Sequence, residues 1–198
     1  NVPILDGKIT DTNRIDKIIP TINFLLSKKA KIIVISHVGR PNGKFKSELS
    51  LQPIRDNLSS QLNENIKLEK TNIFNLKKSE LFNDANEKII ILENIRFYQE
   101  EENNNEKFSK HLSKLGDIYV NDAFSCSHRE HASVTSITKF IPSYSGLQIN
   151  SEVEALKKIT TEIKKPITCI IGGSKISTKI DIIKNLIPKF DNIVIVGA

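Results

Sequence analysis

The sequence has no long apolar run, since no uninterrupted hydrophobic stretch approaches the roughly 18 residues that a membrane-spanning helix needs. No signal-peptide pattern precedes the first strand candidate, so neither a membrane span nor a secretion signal is expected in these residues. Methionine and tryptophan are absent, and the two cysteines, Cys126 and Cys169, form neither a CxxC motif nor a metal-ligand spacing. This use of cysteine favours a reducing, cytoplasmic setting.

Internal repeats and coiled-coil heptads are also missing from the 198 residues, which argues against a solenoid or a long coiled coil. Hydrophobic residues make up 38% and charged residues 26%, which is ordinary for a globular protein. The net charge of +6 is compatible with nucleic acid, a membrane surface or a small polyanionic substrate, and alone it selects none of them. Nucleic acid is disfavoured because no basic patch is interleaved with aromatic residues.

The two ends of the sequence predict a fragment of a longer protein, truncated on both sides. The chain begins at Asn1 without a methionine and stops at IVIVGA, where an apolar strand has just finished. Because a parallel strand is normally followed by a helix that covers the sheet, we expect further chain beyond this point.

Short apolar runs alternate with segments of helical period. Strands are predicted at 30–36, 88–94, 117–122, 166–171 and 191–197, and helices at about 12–28, 50–62, 105–115, 151–164 and 177–187. Pro20 predicts a kink or break in the first helix. This alternation is typical of an α/β fold with mostly parallel sheets covered by helices on both faces. Such sheets bind ligands at the carboxyl ends of their strands.

A domain boundary is predicted near residues 141–165. The segment IPSYSG is rich in turn residues, and SEVEALKKITTEIKK is an amphipathic helix pattern that ends before Pro166. We therefore expect a first lobe at 1–150, a linking helix at 151–165 and the beginning of a second lobe at 166–198. The same helix pattern would equally suit a crossover helix within a single sheet.

Basic residues follow several predicted strands. His37 and Arg40 lie in SHVGRP, Arg96 lies in ILENIRFYQEEE, and Arg129 lies in VNDAFSCSHREHASV, while Arg14 belongs to the first helical segment. The planar guanidinium group pairs with phosphate and carboxylate through two parallel hydrogen bonds. If the strand ends converge, these side chains form a pocket for an anion.

Two other readings of VNDAFSCSHREHASV remain open at this point. Cys126 lies close to His128 and could be an activated nucleophile, although no partner or helix N-terminus that would lower its pKa is evident. Asp122, His128 and His131 could together bind a metal, although their spacing matches no fixed ligand pattern.

A glycine-rich turn, IIGGSKISTKI, provides a second candidate anion site. Paired glycines let backbone N–H groups approach a phosphate, and the lysines that follow add positive charge. The turn matches neither the GxxxxGK[ST] loop nor the GxGxxG turn. Two anion sites on two lobes indicate phosphoryl transfer, in which positioning and charge stabilisation provide most of the catalysis.

The chain resembles the phosphoglycerate kinase family from end to end. The matching segments occur in the family's order: SHVGRPNGK, LENIRFYQEEE, VNDAFSCSHREHAS, INSEVEALKK, IIGGSKISTKIDIIKNL and DNIVIVGA. The resemblance implies two Rossmann-like, three-layer α/β lobes joined by a hinge helix. It implies reversible phosphoryl transfer between 1,3-bisphosphoglycerate and ADP, giving 3-phosphoglycerate and ATP in glycolysis and gluconeogenesis. The first lobe would bind the phosphoglycerate, and the second would bind Mg-ADP or Mg-ATP.

The resemblance also implies roles for individual residues. The residues expected to bind the phosphoglycerate are Asn1, Arg14, His37, Arg40, Arg96 and Arg129. The residues expected to bind the nucleotide are Gly172, Gly173, Lys175 and Lys179. Arg14 and Lys175 would contact the transferring phosphoryl group and are the expected catalytic residues. In the loop before Arg129, Ser125 replaces a glycine and Cys126 a threonine of many family members.

The resemblance places the Mg2+ ligand and the adenosine pocket beyond this fragment, so no metal ligand is expected within it. The parent protein is then expected to be a cytoplasmic, monomeric kinase that binds neither nucleic acid nor a membrane. An alternative for these 198 residues is a fragment that binds the substrate but does not turn it over, because most of the nucleotide lobe is missing.

Overall fold

The computed structural model describes residues 2–5, 7–173 and 180–197, apart from the side chain of residue 182. The chain divides into two compact units, Asn1–Ile149 and Asn150–Ala198. The predicted division into a lobe at 1–150, a hinge helix at 151–165 and a second lobe from 166 stays a prediction.

The first unit combines parallel strands with helices. Its strands are β1 (Ile4–Leu5), β2 (Lys8–Ile9), β3 (Ile32–Val34), β4 (Ile66–Glu69), β5 (Ile89–Leu92), β6 (Tyr119–Asn121) and β7 (Ser143–Ser145). Its helices are α1 (Asn13–Asp16), α2 (Ile19–Ser27), α3 (Gln52–Leu62), α4 (Gln99–Glu102) and α5 (Glu106–Ser113). Helix α6 (Leu147–Thr160) begins in this unit and continues into the second. The second unit contains β8 (Thr168–Gly172), α7 (Ile180–Leu186) and β9 (Asn192–Val196).

Strand β5 lies at the centre of a parallel sheet with the order β3-β5-β4. Strands β6 and β7 form a second parallel pair, and β8 and β9 form a third in the second unit. The short strands β1 and β2 pair antiparallel. The predicted α/β class with parallel sheets is confirmed.

The side chains of β5 alternate between two hydrophobic clusters. Ile89 and Ile91 pack with residues of α2 and α3, including Ile22 and Leu58. Ile90 and Leu92 pack in the other cluster, which includes residues of α5 such as Phe108 and Leu112. All four β5 residues are buried. Because successive side chains of a strand point to opposite faces, the sheet is covered on both sides and forms the middle of three layers.

Several boundaries differ from the sequence expectation for identifiable reasons. The first predicted helix is split between α1 and α2, and Pro20 lies in the first turn of α2, where its missing N–H costs nothing. Helix α6 spans Leu147–Thr160 rather than 151–164. Its first backbone N–H groups are bound by two side chains distant in sequence, because Thr21 Oγ1 accepts from Leu147 N and Asp122 Oδ1 accepts from Gln148 N. The strands β1, β2, β4 and β7 were not predicted, since their short segments lack a continuous apolar run.

Candidate functional site

Asn94 joins the loops that follow two neighbouring strands of the sheet. It lies two residues after β5, is fully buried, and its side-chain nitrogen donates hydrogen bonds of 2.8 Å to the carbonyl oxygens of Val38 and Leu49. Its side-chain oxygen accepts from Arg96 N at 3.1 Å and so caps the 3-10 turn Ile95–Phe97. Because a buried amide with satisfied donors and acceptor tolerates little displacement, Asn94 fixes the backbone that carries Arg96.

The guanidinium group of Arg96 is buried, with only 3% of the residue exposed. Its Nη1 donates to the carbonyl oxygen of Gly39 at 3.1 Å, and its Nε lies 3.5 Å from Glu102 Oε1. The Nε and Nη2 atoms have no hydrogen-bond partner among the residues that the structure describes. Buried N–H donors are normally paired. Because Nε already faces the Glu102 carboxylate, Nη2 is the candidate donor for an anionic ligand.

His37 lies three residues after β3, in the loop that Arg96 contacts. Burial, as the largest effect, and the positive charges of Arg96 and Arg129 lower the pKa of His37 from 6.5 to about 3. Its imidazole is therefore neutral near pH 7 and can offer one N–H donor and one acceptor. We call the set His37, Arg96, Arg129 and His131 the basic cluster.

Arg129 joins the basic cluster from the loop that follows β6, in the separate β6-β7 pair. It follows β6 and the 3-10 turn Phe124–Cys126, and its N–H donates to the carbonyl oxygen of Cys126 at 3.0 Å. The side chain is half-buried, and its Nε has no hydrogen-bond partner among the described residues. Its charge contributes to lowering the pKa of Arg96, after the larger effect of burial and despite the opposing effect of Glu102. The charges of the two arginines therefore act on one another, which favours an anion in this region.

His131 lies against a buried carboxylate, since its Nδ1 is 3.6 Å from Glu101 Oε1. Burial, followed by the charge of Arg96, lowers the pKa of His131. Burial raises the pKa of Glu101, although two hydrogen bonds from Ser133 oppose this effect. Both shifts disfavour the charged forms, so burial opposes an ion pair between His131 and Glu101.

The structure places the other predicted substrate residues as follows. Arg40 is exposed and follows Gly39, whose carbonyl oxygen binds Arg96. Arg14 is exposed on α1. The placement of Asn1, Lys175 and Lys179 lies outside the described residues. The described contacts bring together the loops of His37 and Arg96, and the charge of Arg129 acts on both side chains. The substrate-binding roles of all the predicted residues stay predictions.

The predicted glycines Gly172 and Gly173 lie at the carboxyl end of β8. A Cβ atom on Gly172 would lie 3.1 Å from the carbonyl oxygen of Val196, so the close approach of β9 already requires glycine there. Gly173 has a φ of 129°, a conformation that side chains rarely adopt. Their backbone geometry is thus set within the second unit, and their contact with a nucleotide stays a prediction.

The metal reading of Asp122, His128 and His131 finds no support among the described residues, where no three potential ligands lie close enough to hold an ion. Asp122 instead accepts hydrogen bonds from the N–H groups of Gln148 and Ile149 at the start of α6. Cys126 and Cys169 are free, half-buried thiols. Within the described ranges, none of the helices is both long and apolar enough to cross a membrane.

Sequence reasoning did not identify Asn94, Glu101 and Glu102 as parts of the site, and it considered His131 only as a metal ligand. The signal was present in the segment LENIRFYQEEE, where polar residues surround Arg96 immediately after an apolar strand. A buried arginine needs acceptors, so nearby carboxylates and amides are natural candidates for its support.

Comparison with known proteins identifies similar chains. A family model described as phosphoglycerate kinase matches residues 1–198. The phosphoglycerate kinase of Wolbachia pipientis wMel is 47% identical over 199 residues, which cover 100% of this chain and 50% of that protein. That of Finegoldia magna is 44% identical over 200 residues, covering 100% of this chain and 51% of its own. The chain thus spans about half the length of the curated relatives it matches.

Two solved structures are also similar to the chain. Phosphoglycerate kinase from Coxiella burnetii aligns with a TM-score of 0.86 and 36% identity, covering 98% of this chain and 49% of its own. Phosphoglycerate kinase from Pyrococcus horikoshii OT3 aligns with a TM-score of 0.85 and 28% identity, covering 100% of this chain and 50% of its own.

Proposed function

Because the chain belongs to the phosphoglycerate kinase family, we propose that it takes part in reversible phosphoryl transfer between 1,3-bisphosphoglycerate and ADP, giving 3-phosphoglycerate and ATP. In this proposal the first unit binds the phosphoglycerate. The observation that carries it is the buried Arg96 guanidinium, whose Nη2 has neither a hydrogen bond nor an ion pair among the described residues. A phosphate or carboxylate would supply the missing acceptor.

The basic cluster suits a multiply charged, phosphorylated acid. Arg96 and Arg129 supply permanent positive charge, and neutral His37 supplies directional hydrogen bonding. Arg40 would add a further cation from the same loop as His37. Arg14 would contact the transferring phosphoryl group and stabilise its charge, which is where preorganised positive groups lower the barrier most.

The nucleotide would bind at the end of β8, where Gly172 and Gly173 allow the backbone to approach its phosphates. Lys175 would contact the transferring phosphoryl group and Lys179 the nucleotide phosphates. The described residues supply no metal site. The Mg2+ that would accompany ADP or ATP is expected to take its protein ligand from outside these 198 residues. A monomeric state and a cytoplasmic location remain part of the proposal.

A second candidate is substrate binding without turnover by these 198 residues alone. It is favoured by the observation that they span about half the length of the relatives. In both candidates the first unit binds 3-phosphoglycerate, and they differ only in whether ATP is formed.

Calorimetric titration of the purified chain with 3-phosphoglycerate tests the shared part of both candidates. We expect saturable binding that weakens with added salt, and binding of glycerate that is at least about tenfold weaker, since glycerate lacks the phosphate. Equal affinity for the two compounds, or no binding of either, would overturn the assignment of the basic cluster. A coupled assay for ATP formation from 1,3-bisphosphoglycerate and ADP then separates the kinase from the binding fragment.

A further inference from the structure

Helix α4 is a single turn that holds the chain segment following Arg129. Glu101 in this turn is 2% exposed, and its carboxylate accepts hydrogen bonds from Ser133 N at 2.9 Å and Ser133 Oγ at 2.7 Å. The carbonyl oxygen of Glu101 accepts from Ala132 N at 2.9 Å. On the other side, Ser109 Oγ donates to the carbonyl oxygen of Ala132 at 3.0 Å. Residues 132 and 133 are therefore fixed on both sides.

Arg129 is close in sequence to this fixed segment and is hydrogen-bonded to a residue that follows it. Only two residues separate it from Ala132, and Thr135 Oγ1 donates to its carbonyl oxygen at 3.0 Å. Its guanidinium Nε is buried although the structure shows no hydrogen bond that would hold it there among the described residues. The backbone on which the side chain stands must therefore determine where the guanidinium lies.

We propose that Glu101 is a positioning residue for substrate binding, because its hydrogen bonds to residues 132 and 133 place Arg129 beside Arg96 and His37. This inference rests on the proposed function, since the ligand that the arginines would bind is the phosphoglycerate. Glu102, the next residue of the same turn, contacts Arg96 itself. Helix α4 thus supports both arginines of the basic cluster from one side.

The negative charge of Glu101 and its hydrogen bonds to Ser133 have opposite effects on anion binding. A carboxylate near an anion site repels the anion, and Arg96 is close enough to contribute to the electrostatics of Glu101. If Glu101 acted through its charge alone, its removal would strengthen the binding of a phosphorylated acid. If it acts by holding the loop, its removal weakens that binding. The two explanations therefore predict changes of opposite sign.

Three substitutions in the 198-residue chain separate these explanations. Glu101→Ala removes both hydrogen bonds to Ser133, and we expect 3-phosphoglycerate to bind about tenfold more weakly. Glu101→Gln removes the charge but keeps the shape, since its oxygen can accept from Ser133 N while its amide donates to Ser133 Oγ. We expect it to bind within about threefold of the original chain. Glu100→Ala is the matched control, because the Glu100 side chain has no hydrogen-bond or ion-pair partner among the described residues.

Tighter binding by both Glu101 variants, or unchanged binding by Glu101→Ala, would overturn the proposal. If Glu101→Ala does not fold, Ser133→Ala replaces it, since this change removes only the hydroxyl that donates to Glu101 Oε1. We then expect about threefold weaker binding, and unchanged binding would again overturn the proposal.

A measurement without ligand keeps this test separate from the proposed function. The Nε–H proton of a buried arginine exchanges slowly with water, so the Arg129 signal should be visible by nitrogen-edited NMR at neutral pH. We expect this signal to disappear in Glu101→Ala and to persist in Glu101→Gln and Glu100→Ala. If the original chain fails to bind 3-phosphoglycerate, the proposed function fails, whereas an unchanged Arg129 signal in Glu101→Ala would overturn the positioning role alone.

Discussion

The Nη1 atom of Arg96 donates a hydrogen bond of 3.1 Å to the carbonyl oxygen of Gly39. This bond connects the loop after β5 to the loop after β3, and it lies beside a second connection made by Asn94 to the carbonyl oxygen of Val38. Arg96 therefore has two functions in the fold and the site. Its Nη1 stabilises the loop of His37 and its Nε faces Glu102, while Nη2 has neither a hydrogen bond nor an ion pair among the described residues.

Arg96→Lys should weaken both stability and binding. A lysine keeps the charge but cannot reach Gly39 and Glu102 together with the planar geometry of a guanidinium, so the hydrogen bond to the Gly39 carbonyl oxygen would be lost. We expect the free energy of unfolding to fall by about 1–3 kcal/mol, measured by urea denaturation. Binding of 3-phosphoglycerate should weaken by at least about tenfold, measured by calorimetry.

Arg55→Lys is the matched control for this change. Arg55 lies on α3 and pairs through Nε with Asp56 at 3.2 Å, in a contact where both side chains are partly exposed. Exposed pairs of this kind contribute little, so stability should change by less than about 1 kcal/mol and binding should be unaffected. Equal losses in the two variants would show that Arg96 has no special role.

His37 should make stability depend on pH. Its pKa is about 3 in the folded chain and 6.5 as the reference value, so the unfolded chain binds more protons between these two values. Stability is therefore fully present above pH 6.5 and is lost as the pH falls towards 3, by up to about 1.4 kcal/mol per pH unit. His37→Gln removes this titration. Between pH 7.5 and pH 5 the original chain should therefore lose about 2 kcal/mol of unfolding free energy relative to His37→Gln.

Urea denaturation at several values between pH 7.5 and pH 5 measures this difference. Carboxylates that titrate in both chains cancel in the comparison, which isolates the contribution of position 37. Parallel stability curves for the original chain and His37→Gln would contradict the neutral, buried state of this histidine.

Gly146→Ala should destabilise the start of α6. A Cβ atom at this position would overlap the carboxyl group of Asp122, which accepts hydrogen bonds from Gln148 N and Ile149 N. Either the carboxylate moves and the first turn of the helix loses its cap, or the backbone shifts. We expect a loss of about 1–3 kcal/mol in the free energy of unfolding.

Gly116→Ala serves as the control for the glycine substitution. A Cβ atom there would make only an ordinary contact, 3.7 Å from the carbonyl oxygen of Ile118. We expect its stability to change by less than about 1 kcal/mol. If thermal unfolding shows the two alanine variants to be equally stable, the close packing of Gly146 on Asp122 does not matter for stability.

The sequence was sufficient to predict the parallel α/β architecture and the position of Arg96 and His37 just after buried strands. Strand β5 is a run of three isoleucines and a leucine, a pattern that predicts a buried strand. Arg96 follows this strand closely, and ligands of parallel sheets bind at the carboxyl ends of the strands. The same rule identified His37 after β3. These predictions depend on local pattern, which a single sequence contains.

The supporting contacts could not be predicted in this way. Glu101 and Ser133 are 32 residues apart, and Asp122 lies 26 residues before Gln148, so their pairing depends on how the whole unit packs. The sequence showed Glu101 as one of three consecutive glutamates, which suggests an exposed surface. Its burial follows only from the position of α4 against the loop after Arg129.

The alternation of β5 between the two hydrophobic clusters has a consequence for how the first unit unfolds. Ile89 and Ile91 belong to one cluster, and Ile90 and Leu92 to the other, so neither cluster can lose its packing without displacing a strand that the other requires. The two layers of helices are thereby linked into one cooperative folding unit. The amide protons of β5 should be among the last in the unit to exchange with solvent, and they should do so only through global opening.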